Sequence, residues 1–122
     1  MTVDHDTKIE DLKKEIQVFC QERDWDRFHN IKELAIGAST ESAELLEIFR
    51  FQTDEQIENL LLAPESRQKI ADELADVLFF VLRISQKYGF DLSQSFSAKM
   101  EKNRLKYPIE KARGKNTKYD QY

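Results

Sequence analysis

Between Pro64 and Gly89 the chain holds no other proline or glycine, and six consecutive apolar side chains run from Val77 to Leu82. Pro64 suits the first turn of a helix, where its missing N–H costs nothing, and Gly89 suits the left-handed residue that ends one. The stretch therefore predicts one long helix, Pro64 to Tyr88, buried over most of its circumference. Its apolar run is far too short to span a bilayer. Three glycines and two prolines among 122 residues leave little turn chemistry elsewhere. Plentiful Leu, Glu, Lys, Ala and Gln favour long helices with short connections. The expected fold is all-α, a bundle of four to five helices in a single domain over residues 1–122.

Local signals predict the other boundaries. Thr7 with Glu10 forms the capping-box pattern for a first helix, whose apolar stripe is Ile9, Leu12, Ile16, Phe19 and Cys20. That helix should fray over 23–26. Asn30 with Glu33 announces a second helix running to about Phe51, with Leu34, Ala35, Ala38, Leu45 and Phe49 on its apolar side. Thr53 with Gln56 caps a short third helix ending near Leu62, and a fifth begins at Asp91 or Ser93 and halts before Pro108. Residues 109–122 carry Lys111, Arg113, Lys115 and Lys118 and read as a basic tail, extended or mobile until an anion orders it.

A net charge of −4 argues against nucleic acid as a partner, since phosphate backbones demand a basic surface. The single cysteine, Cys20, continues an apolar stripe and cannot close an internal disulfide, which fits a reducing compartment. The polar stretch from Met1 to Asp11 lacks the apolar core of a signal peptide. A soluble cytoplasmic protein, with no membrane partner, is the expectation.

The long helix carries Glu73 and Asp76 at the start of its apolar run, three apart and so on one face. The second helix repeats this with Glu41 and Glu44, set among Ala38, Ala43, Leu45 and Leu46. Like charges one turn apart repel, and burying unpaired carboxylates costs several kcal/mol or more, roughly. A cation between them removes both penalties. Glu44 lies nine residues before the Thr53 cap and Glu73 nine residues after Pro64. At 1.5 Å per residue each pair stands about 13 Å from the connector, so antiparallel packing would bring four carboxylates level. Acid pairs are ordinary on solvated helix faces, so either pair alone would signify little. Two matched pairs on apolar-rich helices point to a shared site.

The chain has only two histidines, His5 and His29, and neither is near these acids in sequence. Zinc is disfavoured, and the Glu-x-x-His pattern of di-iron bundles is absent. An all-oxygen site suits Mg²⁺, with Mn²⁺ as the alternative, placed between carboxylates and substrate phosphates.

Glu41-x-x-Glu44, then 28 residues, then Glu73-x-x-Asp76 resembles the signature of the MazG-like all-α nucleoside triphosphate pyrophosphohydrolases. Arg23-Asp-Trp-Asp-Arg-Phe-His29, Glu44-Leu-Leu-Glu-Ile-Phe49 and Lys99-Met-Glu-Lys-Asn-Arg104 followed by Tyr107-Pro108 extend the resemblance toward the dCTP pyrophosphatase branch. The resemblance implies an Mg²⁺-dependent enzyme cutting (deoxy)nucleoside triphosphates to monophosphate and pyrophosphate, in house-cleaning of the nucleotide pool, with dCTP or related dNTPs preferred. It implies Glu41, Glu44, Glu73 and Asp76 as metal-binding and catalytic residues. It implies a base pocket of Trp25, His29, Phe51 and Phe80, and triphosphate contacts from Lys99, Asn103 and the tail. It also implies an obligate oligomer, a homotetramer built as a dimer of dimers. Phe51 and Phe80 stand where animal relatives carry Trp and Tyr, and Ile16 falls where a base-contacting histidine does. These exchanges remove hydrogen-bonding groups that a strict choice of cytosine would use.

From its own surroundings Trp25 reads first as a plug for the bundle end, and His29 reads as readily as a helix cap. Glu47 continues the acid series and is open to three roles: second-ion ligand, water-orienting group or solvated charge. Arg50, Lys87 and Lys106 read as solvated. Phe79, Phe80, Val81 and Leu82 point in several directions, which also predicts contact with another subunit. Two enzyme alternatives stay open, an all-α dUTPase and a phosphoribosyl-ATP pyrophosphohydrolase relative. A third, of another class, is a non-catalytic helical oligomer that binds cations.

Overall fold

A computed structural model describes residues 2–121, and every regular element among them is helical. The α-helices are α1 (Ile9–Glu22), α2 (Ile31–Phe49), α3 (Asp54–Leu62), α4 (Pro64–Tyr88), α5 (Leu92–Lys106) and α6 (Ile109–Ala112). Short 3-10 turns occupy Asp4–Asp6, Asp26–Phe28 and Tyr119–Gln121. The chain divides into two compact units, one ending at Gly89 and the other beginning at Phe90.

Most boundaries follow from the caps. The Asn30 side chain accepts Glu33 N–H at 2.8 Å, and Asp91 accepts Gln94 N–H at 2.9 Å. Thr53 and Gln56 bond each other's backbone N–H at 3.2 and 2.8 Å, the reciprocal pattern of a capping box. Gly89 closes α4 with φ of 76°, a conformation that costs glycine nothing. Three expectations need correction. The first helix starts at Ile9, where Asp11 accepts Lys8 N–H at 3.2 Å, while the Thr7 hydroxyl turns back to Val3 O at 2.8 Å. The tail is not extended throughout: Pro108 admits the one-turn α6, and Tyr119 packs edge-on to Tyr107 with centroids 6.0 Å apart. Lys106 lies 4.9 Å over the same Tyr119 ring, so it is not a purely solvated charge.

In the first unit α4 packs mainly on α2, and also on α1 and α3. Gly37 meets Phe80, and Glu41 meets Glu73 and Asp76. Numbers rise along α2 as they fall along α4, so these helices run antiparallel. Among the described residues the buried apolar side chains are few: Ile16, Cys20, Leu34, Ile70 and Leu82. Leu74, Leu78 and Val81 share one face of α4 and remain exposed. The burial expected over most of the long helix's circumference is thus not met within one chain.

Gly37 fits the register by absence of a side chain. A Cβ there would stand 2.3 Å from Phe80 Cε1. We expect Gly37→Ala to lower Tm, because crowding at a packed contact costs about 1–3 kcal/mol. In a Phe80→Ala background the same change should raise Tm, since alanine is about 1 kcal/mol better than glycine inside a helix. Thermal melts of the four proteins check the reversal of sign.

Candidate functional site

The antiparallel register brings one carboxylate oxygen each from Glu41, Glu73 and Asp76 within 4.8 Å of one another. Glu41 Oε2 and Glu73 Oε2 are buried without a hydrogen-bond partner in the protein. Glu41 is pushed up to about 7, first by the Glu44 carboxyl beside it, then by burial and by the Glu44, Asp76 and Glu73 charges. Glu73 is raised chiefly by burial, then by Glu44 and Asp76. Packing has thus gathered four acids that repel one another, and two of their oxygens have nothing to bond. An all-carboxylate cluster of this kind fits a hard divalent cation. Glu47 is exposed, and its Oε1 accepts from Arg50 Nη1 at 3.1 Å.

Beside the acids, the end of α1 builds an aromatic wall. Asp24 adopts a left-handed φ of 53°, and Trp25 N–H returns to Cys20 O at 3.0 Å. This is the six-to-one bond of a Schellman close, with aspartate where glycine is commoner. It sets the Trp25 ring edge-to-face on Phe19, centroids 5.5 Å apart, and 5.9 Å from the His29 ring. Phe19 meets Phe79 at 6.1 Å, and Phe79 meets Phe80 at 5.2 Å. A row of rings therefore joins Trp25 to Phe80, and Phe80 follows Asp76 by one turn of α4. Along it opens a cavity of about 180 Å³ lined by Glu15, Ile16, Phe19 and Phe79. Ile16 is a core residue that also borders this space.

The other expected base-pocket residue lies elsewhere. Phe51, 87% exposed, ends α2 at φ of 66°, with the Arg50 guanidinium 4.6 Å from its ring. Within this chain the structure does not bring it into the row. Lys99 and Asn103 sit one turn apart on α5, in the second unit. Lys99 is exposed, and Asn103 is half-buried beside Met100.

Sequence reasoning missed Phe19 and Phe79 as wall residues, because at helical spacing they look like ordinary core. It also misread Lys87. That ammonium is half-buried and donates to the carbonyls of Asp26, at 2.6 Å, and His29. Arg83, which sequence reasoning passed over, is 1% exposed and pairs with Asp26. The guanidinium holds the Asp26 carboxyl below the usual carboxylate range. Burial first, then Arg83 and Lys87, lower His29, and burial raises the Cys20 thiol.

The model of the MazG-like family matches residues 36–121, a span that includes all four acids. The chain is 32% identical over 111 residues to dCTP pyrophosphatase 1 of Bos taurus and of Homo sapiens. Those alignments take in 91% of this chain and 66% and 65% of the two relatives, so it spans just under two thirds of their length. Among solved structures, a pyrophosphatase from Archaeoglobus fulgidus is 31% identical, with a TM-score of 0.76 over 88% of this chain and 96% of that one.

Proposed function

The chain belongs to the MazG-like family, and on that premise we propose that it is a nucleoside triphosphate pyrophosphohydrolase, yielding monophosphate and pyrophosphate. The observation that carries this reading is the meeting of Glu41, Glu73 and Asp76 within 4.8 Å, with two oxygens buried and unpartnered. Glu44, whose carboxyl adjoins Glu41, completes a set of four that would hold Mg²⁺, or Mn²⁺ in its place. When bound, such an ion neutralises triphosphate charge and makes water a stronger nucleophile.

The protein's own residues position the reactants. Antiparallel α2 and α4 hold the acids at one level, and the aromatic row from Trp25 to Phe80 offers flat faces to a nucleobase. Water attacks the α-phosphorus, the bond to the bridging oxygen breaks, and pyrophosphate leaves. Lys99 and Asn103 are assigned to the triphosphate by family resemblance. Phe51 is assigned to a base pocket completed by another copy, since its ring stands in solvent here. The exposed stripe of Leu74, Leu78 and Val81 supports association of subunits. We read the assembly as a homotetramer of cytoplasmic location. No helix among the described residues is long and apolar enough to cross a membrane.

The dCTP pyrophosphatase relatives favour deoxycytidine triphosphate as the substrate to try first. The test offers the eight common (d)NTPs, dUTP and phosphoribosyl-ATP singly with Mg²⁺ and identifies the first product. We expect pyrophosphate with monophosphate, and turnover of dCTP or a related dNTP above the rest. Orthophosphate as first product would overturn the reaction. A dominant dUTP signal would move the chain to the dUTPase reading, and no turnover of any substrate to the cation-binding one.

A further inference from the structure

Arg83 spreads one guanidinium over three partners. Its Nε donates to His29 Nδ1 at 3.1 Å, its Nη1 donates to Gln86 Oε1 at 2.6 Å, and its Nη2 pairs with Asp26 Oδ1. An arginine Nε–H can donate but never accept, and arginine keeps its proton in proteins. His29 Nδ1 must therefore present its lone pair, which puts the ring's hydrogen on Nε2. Lys87, one turn further along α4, secures the backbone of the same segment through the Asp26 and His29 carbonyls.

We propose that Arg83 is a positioning residue that clamps the Trp25–His29 segment to α4 and holds His29 as a neutral donor protonated at Nε2. The groups facing this histidine come from three elements. Cys20 of α1 lies with its Sγ 3.9 Å from Nδ1, Asp26 adjoins from the 3-10 turn, and Arg83, Lys87 and the Tyr88 hydroxyl face it from α4. Of these, only Asp26 would favour an imidazolium, and its carboxylate is already engaged by Arg83. A second proton, on Nδ1, would meet the arginine N–H head-on.

The functional consequence rests on reading that segment as the nucleobase wall. A neutral N–H donor bonds a ring nitrogen or carbonyl at the edge of a base. An imidazolium would also attract the triphosphate and invite binding in the reverse sense. Arg83 lies seven residues beyond Asp76, about 10 Å along the helix at 1.5 Å per residue. One rigid helix thus carries two of the acids and the clamp that sets the ring wall.

The test has a spectroscopic arm and a kinetic arm. In substrate-free protein labelled with ¹⁵N-histidine, His29 should show the Nε2–H tautomer with no titration from pH 8 down to pH 5. In Arg83→Met the tautomers should mix and the ring should titrate. An Nδ1–H tautomer, or ordinary titration, in the wild type overturns the proposal, and this arm needs neither a variant nor a substrate. In the kinetic arm Arg83→Met should raise KM for the best dNTP about tenfold, with kcat within threefold and Mn²⁺ affinity unchanged. Combined with His29→Ala it should add little, because both changes remove one arrangement. Equal losses in KM, kcat and Mn²⁺ affinity, or full additivity with His29→Ala, would make Arg83 a general strut and overturn the clamp. If Arg83→Met does not fold, Gln86→Ala, which frees one arm of the guanidinium, should give a smaller rise in KM of the same kind. An unchanged KM there overturns the proposal. Absence of dNTP turnover in the wild type would sink the functional reading alone, since the tautomer is read without it.

Discussion

Glu73→Gln and Asp76→Asn are each expected to lower kcat by about a hundred- to a thousandfold, the scale on which losing one electrostatic stabiliser of a transition state falls. Circular dichroism should be unchanged, and Tm of the metal-free variants equal to or above that of the wild type. That combination separates a site from a scaffold. The four acids repel one another when no cation is present, so removing one charge relieves strain while destroying function. Near-wild-type turnover in either variant would show that the acids do not act together. Glu41 adds a pH signature. Its folded-state pKa, about 7, lies above the ordinary carboxylate value of 4.5. The folded protein therefore binds more protons than the unfolded chain between those limits, and this group's contribution to metal-free stability falls as pH rises through them. A cation must displace the same proton. Mn²⁺ titrations of substrate-free protein should show affinity rising from pH 5 to pH 8, and rising less steeply in Glu41→Gln.

Trp25→Ala is expected to raise KM about ten- to a hundredfold, because stacking of a base on an aromatic ring contributes about 1–3 kcal/mol. The fall in kcat should be threefold or less, since stacking of this kind binds ground state and transition state alike. The indole is the chain's one tryptophan, so intrinsic fluorescence reports it alone. A dNTP offered with Ca²⁺ to stall turnover should quench it saturably, and pyrophosphate should quench it far less. An unchanged KM in Trp25→Ala would make the ring a plug at the end of α1. The wall would then have to be rebuilt around Phe19 and Phe79.

What the sequence determined by itself was whatever is encoded within one turn of helix. The caps at Asn30, Thr53 and Asp91 were legible because each is a bond from a side chain to a backbone three residues away. Pro64 and Gly89 were legible because their backbones allow few alternatives. The acid pairs were legible because two matched pairs stand on apolar-rich helices, and their level followed from counting residues to the connectors. Even here a competing local bond moved the first cap, when Asp11 outdid Glu10. Only the tertiary structure decided the fate of the long polar and aromatic side chains. Arg83 and Lys87 find their partners 54 to 61 residues away. Nothing near them in sequence distinguishes a buried clamp from a charge in water, because a long cationic stem suits either. Phe19 and Phe79 sit at core spacing, and it is the left-handed turn at Asp24 that brings Trp25 onto one end of their row. Gly37 gives no local sign of its role, which is to leave room for the Phe80 ring that packs across it. Periodicity says which face of a helix turns inward, but the neighbour it meets there is decided when the helices pack.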